Sequence, residues 1–245
     1  MTLRGSIVQV LRWTRLNRLA HRLYYDHVHG FNAATRSTLE GLNLAFAKAA
    51  DLDTLDKGDY YEFGLFKGFS FYWAYQTAAD HDAKSLRFFG FDSFAGLPEV
   101  VDGPDATEDD FYQGQYSCSY ELVRSQLDNR GIDWSRAVLV KGYYSESLTD
   151  NLREQHAMGP VVIALIDCDL YASTVDVLRF LGPLIGDRSI LIFDDWNCYR
   201  RNDDKGQRRA FNEFLSGRPD TRAEPIFKYG TWGQGFLIRS ESISN

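Results

Sequence analysis

The chain has 245 residues, enough for one full core, and its 44% hydrophobic and 25% charged residues are ordinary soluble usage, which excludes disorder and fibrous repeats. Its 27 lysines and arginines against 34 acids give a net charge of -7, the wrong balance for a protein that neutralises nucleic-acid phosphates. The longest apolar run, Val161–Ile166, is too short to span a bilayer, and three cysteines without a CxxC pair (Cys118, Cys168 and Cys198) fit a reducing cytoplasm better than a disulfide framework or a zinc ribbon.

The first 22 residues carry five arginines and no acid. Between Trp13 and Tyr24, Leu16, Leu19, Ala20 and Leu23 recur at helical spacing with Arg15, Arg18 and Arg22 beside them. These arginines interrupt the apolar core that a secretory signal needs. Residues 1–50 are therefore expected to form a helical lid or a contact that joins copies into a homo-oligomer, ahead of a main domain over 51–245.

From there strand-like and helix-like segments alternate. Strands are expected over 60–64, 86–91, 137–141, 161–167 and 189–194, with helices over 70–80, 120–131, 147–156 and 173–184 between them. That order predicts an α/β fold with a parallel sheet covered on both faces. Residues 224–229 and 234–239 flank Gly230-Thr231-Trp232-Gly233, which reads as a closing antiparallel hairpin. The acidic stretch over 100–115 is expected to be a long loop beside the site.

Ligands of such sheets sit at the carboxyl ends of the strands. The first strand ends in Glu62-Phe63-Gly64-Leu65-Phe66-Lys67-Gly68 and runs into a helix near Ser70, a glycine turn that lets backbone approach a ligand. It is not the G-x-G-x-x-G of nicotinamide sites. The second strand ends in Asp92-Ser93, where an acid can accept hydrogen bonds from ribose hydroxyls. The third ends at Gly142-Tyr143, either a wall for adenine or a simple turn. The fourth ends in Asp167-Cys168-Asp169 and the fifth in Asp194-Asp195. Four carboxylates on neighbouring strands would repel one another, and a hard divalent cation such as magnesium resolves the conflict. His27 and His29 have no partners in sequence, His81 and His156 fall near helix ends, and no G-x-S-x-G elbow is present.

In order, "EFGLFKGFS", "FDSFAGLPE", "LVKGYYSESL", "IDCDLYAST" and "ILIFDDW" resemble the macrocin O-methyltransferase family. The resemblance implies a Rossmann-like class I methyltransferase fold, with a seven-stranded sheet whose strand near Phe236 is reversed. It implies S-adenosylmethionine as cofactor, magnesium, and a small-molecule acceptor with a hydroxyl group, a sugar or a glycosylated natural product. It lays the cofactor's methionine along Glu62, Gly64, Lys67, Gly68 and Ser70, its ribose on Asp92 and Ser93 and its adenine by Gly142 and Tyr143, and gives magnesium to Asp167, Asp194 and Asp195. Asp169 is then the candidate base, with Asp167 as the second choice. The sequence departs from the family at Cys168, where glycine is common, and in a long polar stretch after Trp196. Two rival readings remain. One is a metal-dependent glycosyltransferase using Asp167-Cys168-Asp169 as a DxD motif; the other is a nucleoside-binding module without turnover.

Overall fold

A computed structural model describes residues 30–32, 36–99 and 111–240. The basic helix expected before Tyr24, His27, His29 and most of the acidic loop lie outside the described residues. The elements run α1 (Arg36–Asp51), β1 (Asp59–Phe63), α2 (Phe69–Asp80), β2 (Arg87–Asp92), α3 (Tyr120–Asp128) and β3 (Ala137–Lys141). There follow α4 (Tyr144–Ser147), α5 (Asp150–Gln155), β4 (Val161–Ile166), α6 (Tyr171–Leu181), β5 (Ile190–Phe193), α7 (Gly206–Ser216), β6 (Thr221–Tyr229) and β7 (Gly233–Ser240).

The seven strands form one sheet in the order β3-β2-β1-β4-β5-β7-β6, and all pairs are parallel except those made by β7. Phe236 on β7 faces Leu191 on β5 in the reversed strand expected there. Strand order reverses between β1 and β4, which pair with Phe63 opposite Ile166. Their carboxyl ends therefore meet, and the glycine turn lies beside the first aspartate cluster. Pro225 interrupts β6, an edge strand with a bulge near that position, which is where a sheet tolerates a missing N–H.

Strand period two sorts the core into two layers. On one face Tyr60, Phe88, Ile163, Leu165 and Ile192 pack under α1, α2 and α3, whose buried residues include Phe46, Phe71 and Leu127. On the other, Phe63, Phe91, Ala164, Ile166 and Phe193 pack under α6 and α7, with Leu178, Leu181 and Phe211 buried. Every residue of β1, β4 and β5 is buried, as strands covered on both faces must be.

Three helices differ from the sequence expectation. The helix expected over 147–156 is two, because Leu148 leaves helical backbone (φ -84°, ψ 82°) and the Thr149 hydroxyl caps the next helix by accepting from Leu152 N–H at 3.2 Å. The expected elements give no separate bounds for α1, which lies at the end of the segment expected to be helical over 1–50, and none for α7. Helix α1 buries Thr38, Leu42, Ala45, Phe46 and Ala49, and packs on α2 and on β4 to β7. His81 and His156 close α2 and α5 at their carboxyl ends.

Candidate active site

A cavity of about 510 Å³ opens over the carboxyl ends of the strands. Of the residues singled out in the sequence, Gly64, Lys67, Ser70, Asp92, Ser93, Gly142, Tyr143, Asp167, Asp169, Asp194 and Asp195 line it. Glu62 and Gly68 are not among the lining residues. Glu62 is fully buried behind the wall, where Ser70 Oγ donates to it at 2.6 Å and the Tyr60 hydroxyl also donates. Burial pushes the Glu62 carboxyl up to about 7, against those two hydrogen bonds.

Gly64 shows why the turn is glycine. Its φ is +96°, and a Cβ there would sit 1.7 Å from the Asp167 carbonyl oxygen. Asp167 N–H donates to the Phe63 carbonyl at 2.8 Å, so the two strand ends touch through backbone alone. Any side chain at position 64 would separate the glycine turn from the aspartates.

Asp92 stands at the end of β2 as expected, but much of its carboxylate is already in use. Its Oδ2 accepts from Leu65 N–H at 2.8 Å and Phe66 N–H at 3.0 Å, and its Oδ1 accepts from Phe94 N–H at 2.6 Å. Asp92 thus ties the glycine turn to β2 and leaves only part of its acceptor capacity for a ribose. Asp92→Ala should lower the melting temperature as well as weaken S-adenosylmethionine binding, the latter by about 2–4 kcal/mol, roughly 30- to 1000-fold. Calorimetry with the folded variant checks this, and unchanged affinity would refute a ribose contact. Ser93 Oγ accepts from Ala95 N–H and donates to the Gly96 carbonyl, shaping the same rim.

Across the cavity the carboxylates converge. Asp167, Asp194 and Asp195 each offer an oxygen, and these lie within 4.8 Å of one another. Oxygens on one magnesium ion can be at most about 4.2 Å apart, twice the usual bond length, so only small movements would bring all three onto a cation. Burial first, then the charges of Asp194, Asp195 and Asp169, hold the Asp167 carboxyl well above the usual range. Asp195 is raised likewise, by burial and then by Asp169 and Asp194. Burial also raises Asp194, and the adjacent hydroxyls of Tyr229 and Thr38 counter it. Crowded acids of this kind must share protons or a cation.

Asp169 is buried on the same wall with φ +58°, a left-handed backbone that aspartate tolerates better than most residues. Its N–H donates to Asp195 Oδ2 at 3.0 Å, and its carbonyl accepts from the Tyr199 hydroxyl at 3.2 Å. Burial, and then the charge of Asp194, pushes its carboxyl up to about 7. Tyr199 belongs to the long polar stretch after Trp196; that stretch returns beneath Asp169 through left-handed residues at 199, 200 and 201.

Sequence reasoning missed the residues that brace this cluster. Thr38 on α1 donates to Asp194 Oδ1 at 3.1 Å. Gln207 on α7 accepts from Asp195 N–H at 3.0 Å and donates to the Ile166 carbonyl at 2.9 Å. Tyr229, at the end of β6, lies buried beside Asp194. The helical spacing of Thr38, Leu42, Ala45, Phe46 and Ala49 was the one available signal, and it marks a buried face without naming what Thr38 reaches.

Residues 35–220 match the sequence profile of the family described as macrocin-O-methyltransferase. A relative from Streptomyces olivaceus, named 8-demethyl-8-(2,3-dimethoxy-alpha-L-rhamnosyl)-tetracenomycin-C 4'-O-methyltransferase, is 26% identical over 143 residues, which is 57% of this chain and 53% of the relative. The matched region thus spans about half the length of that relative. Among solved structures, the O-methyltransferase NovP superposes with a TM-score of 0.65 at 20% identity, covering 83% of this chain and 79% of its own. The calicheamicin methyltransferase CalS11 gives 0.66 at 23% identity, covering 81% and 77%. At these identities the structural matches bear on the fold.

Proposed function

Because the chain belongs to the macrocin-O-methyltransferase family, we propose that it transfers a methyl group from S-adenosylmethionine to a hydroxyl of a sugar or glycosylated natural product, with magnesium held by Asp167, Asp194 and Asp195. The observation that carries the reading is the facing of two halves in one cavity. A glycine turn and Asp92 stand on one side, and the aspartates of β4 and β5 stand on the other. The relative named for methylating a rhamnosyl tetracenomycin supports a sugar hydroxyl as the acceptor.

S-adenosylmethionine supplies an electrophilic methyl group. Bound magnesium would orient an acceptor hydroxyl and make it more acidic. The chain's own task is to place the two reactants and take one proton. Gly64, Lys67, Ser70, Gly142 and Tyr143 line the cofactor side. Asp169 is the base that accepts the hydroxyl proton as the C–O bond forms and the methyl–sulfur bond breaks, releasing S-adenosylhomocysteine, and a carboxyl near 7 is well matched to that task. Asp167 would serve as base only if it were not a ligand. The Asp195 and Tyr199 contacts to the Asp169 backbone keep its side chain on the cavity wall.

A metal-dependent glycosyltransferase would need only the DxD part of this site, leaving the glycine turn and Asp194-Asp195 without a task, and the family match argues against it. Calorimetric titration with S-adenosylmethionine and with nucleotide sugars distinguishes the two. The proposal expects binding of the former, and binding of nucleotide sugars alone would overturn it. Among the described residues no helix is long and apolar enough to cross a membrane, and Cys118, Cys168 and Cys198 form no disulfide with one another. We place the enzyme in a reducing cytoplasm. The segment before Tyr24 would serve as lid or subunit contact.

The raised carboxyls also set a pH dependence. Asp167, Asp194 and Asp195 are all raised, so at lower pH they hold protons that a cation must displace, and at higher pH they are freer to bind. Magnesium should therefore raise the melting temperature more at pH 8 than at pH 6, as read by scanning fluorimetry. An increment independent of pH would contradict the assignment of these carboxyls as ligands.

A further inference from the structure

Tyr229 lies buried beside Asp194, and the proposed chemistry gives it no role. Its side chain is 3% exposed, and its hydroxyl is the one buried side-chain polar atom without a hydrogen-bond partner among the described residues. The hydroxyl lies beside Asp194, close enough to interact with its carboxylate, and near enough to Asp167 and Asp195 to feel their charge, but it forms no well-aligned hydrogen bond. An unpartnered hydroxyl is unfavourable in the interior, and phenylalanine would fill the same space without that cost.

The surroundings are shaped to admit this ring. A Cβ on Gly41 of α1 would come within 2.8 Å of the Tyr229 ring, and one on Gly233 of β7 would come within 2.1 Å of its Cζ. Two positions on different elements thus go without side chains around one tyrosine. From the same helix as Gly41, Thr38 already donates to Asp194 Oδ1. A carboxylate has about four lone-pair sites. One goes to Thr38 and one to a cation, so acceptor capacity remains for a second hydroxyl.

We propose that Tyr229 is a positioning residue for the cation: its hydroxyl donates to Asp194 when the metal is bound, and with Thr38 it fixes that carboxylate as a ligand. Carboxylates that hold metals are commonly oriented by such outer hydrogen bonds, and losing one typically costs 10- to 100-fold in affinity. The inference rests on the reading of Asp167, Asp194 and Asp195 as a magnesium site. It ties that site to helix α1 and to the β6–β7 hairpin together.

The test is Tyr229→Phe in the full chain, titrated calorimetrically with magnesium chloride and melted with and without it. The expected result is a split. Without metal the variant should melt no lower than wild type, because it loses only a buried hydroxyl that forms no well-aligned hydrogen bond. Its magnesium affinity should fall by about 10- to 100-fold, while S-adenosylmethionine affinity stays unchanged. Excess magnesium should then restore the wild-type melting increment. Equal magnesium affinity in variant and wild type would overturn the proposal, and so would a lower metal-free melting temperature with unchanged affinity, which would make the hydroxyl merely structural. If wild type itself binds no magnesium, the metal reading fails first, and the role of Tyr229 falls with it.

Discussion

Asp195→Ala should abolish methyl transfer while leaving S-adenosylmethionine binding nearly intact. In the proposed cation site Asp195 would act with Asp167 and Asp194, and its loss would leave two carboxylates to hold a metal that needs several hard oxygen ligands. The cofactor side is built from different residues on β1 and β2: the Gly64 turn is held by Asp92 through Leu65 and Phe66 N–H. The substitution also removes the acceptor for Asp169 N–H, and frees Gln207 from one of its contacts. The Gln207 bond to the Ile166 carbonyl survives, so the end of β4 stays braced. Magnesium calorimetry and single-turnover rates should therefore fall together, with cofactor calorimetry unmoved. A variant that keeps its magnesium affinity would remove Asp195 from the ligand set.

Asp169→Asn should behave in the opposite way. The contacts that position residue 169 are made by its backbone, and they persist with an amide side chain. Magnesium binding should survive, and one fewer charge among the carboxylates should ease their mutual repulsion. The amide accepts no proton at neutral pH, so the rate should drop by about 10²–10⁴-fold, with partial recovery at higher pH as the acceptor ionises unaided. The pairing matters more than either number: loss of metal in one variant and loss of rate without loss of metal in the other. Undiminished turnover in Asp169→Asn would pass the base role to Asp167 or to water.

The amino-acid sequence exposes most of this architecture because the central strands are buried on both faces and so are written as apolar runs. Val161–Ile166 cannot be mistaken, and the acids that follow it can only sit at a strand end. Aspartate clusters after two neighbouring strands make the candidate site legible for the same reason. What escapes is contact across the fold. Thr38 and Asp194 lie 156 positions apart, and no local pattern joins them. Asp92 was assigned to a ribose by its place in the strand order, whereas its bonds to Leu65, Phe66 and Phe94 depend on how tightly the turn folds back. The break at Leu148 was hidden because the flanking residues keep a helical pattern and only the Thr149 cap marks the restart. Tyr229 stands at the end of the strand expected over 224–229, with no local pattern to single it out. Its importance appears only where Gly41 and Gly233 make room for it beside Asp194.

Metal-assisted methyl transfer to a sugar hydroxyl is the property on which the other proposed roles depend. The most direct measurement is release of S-adenosylhomocysteine by the wild-type chain from a panel of glycosylated metabolites and simple phenols, with magnesium, with EDTA, and with magnesium restored. The result expected is release with a glycoside acceptor, abolished by EDTA and recovered on adding magnesium back. Full release in EDTA would contradict the role given to Asp167, Asp194 and Asp195, and release with phenols alone would contradict the sugar acceptor.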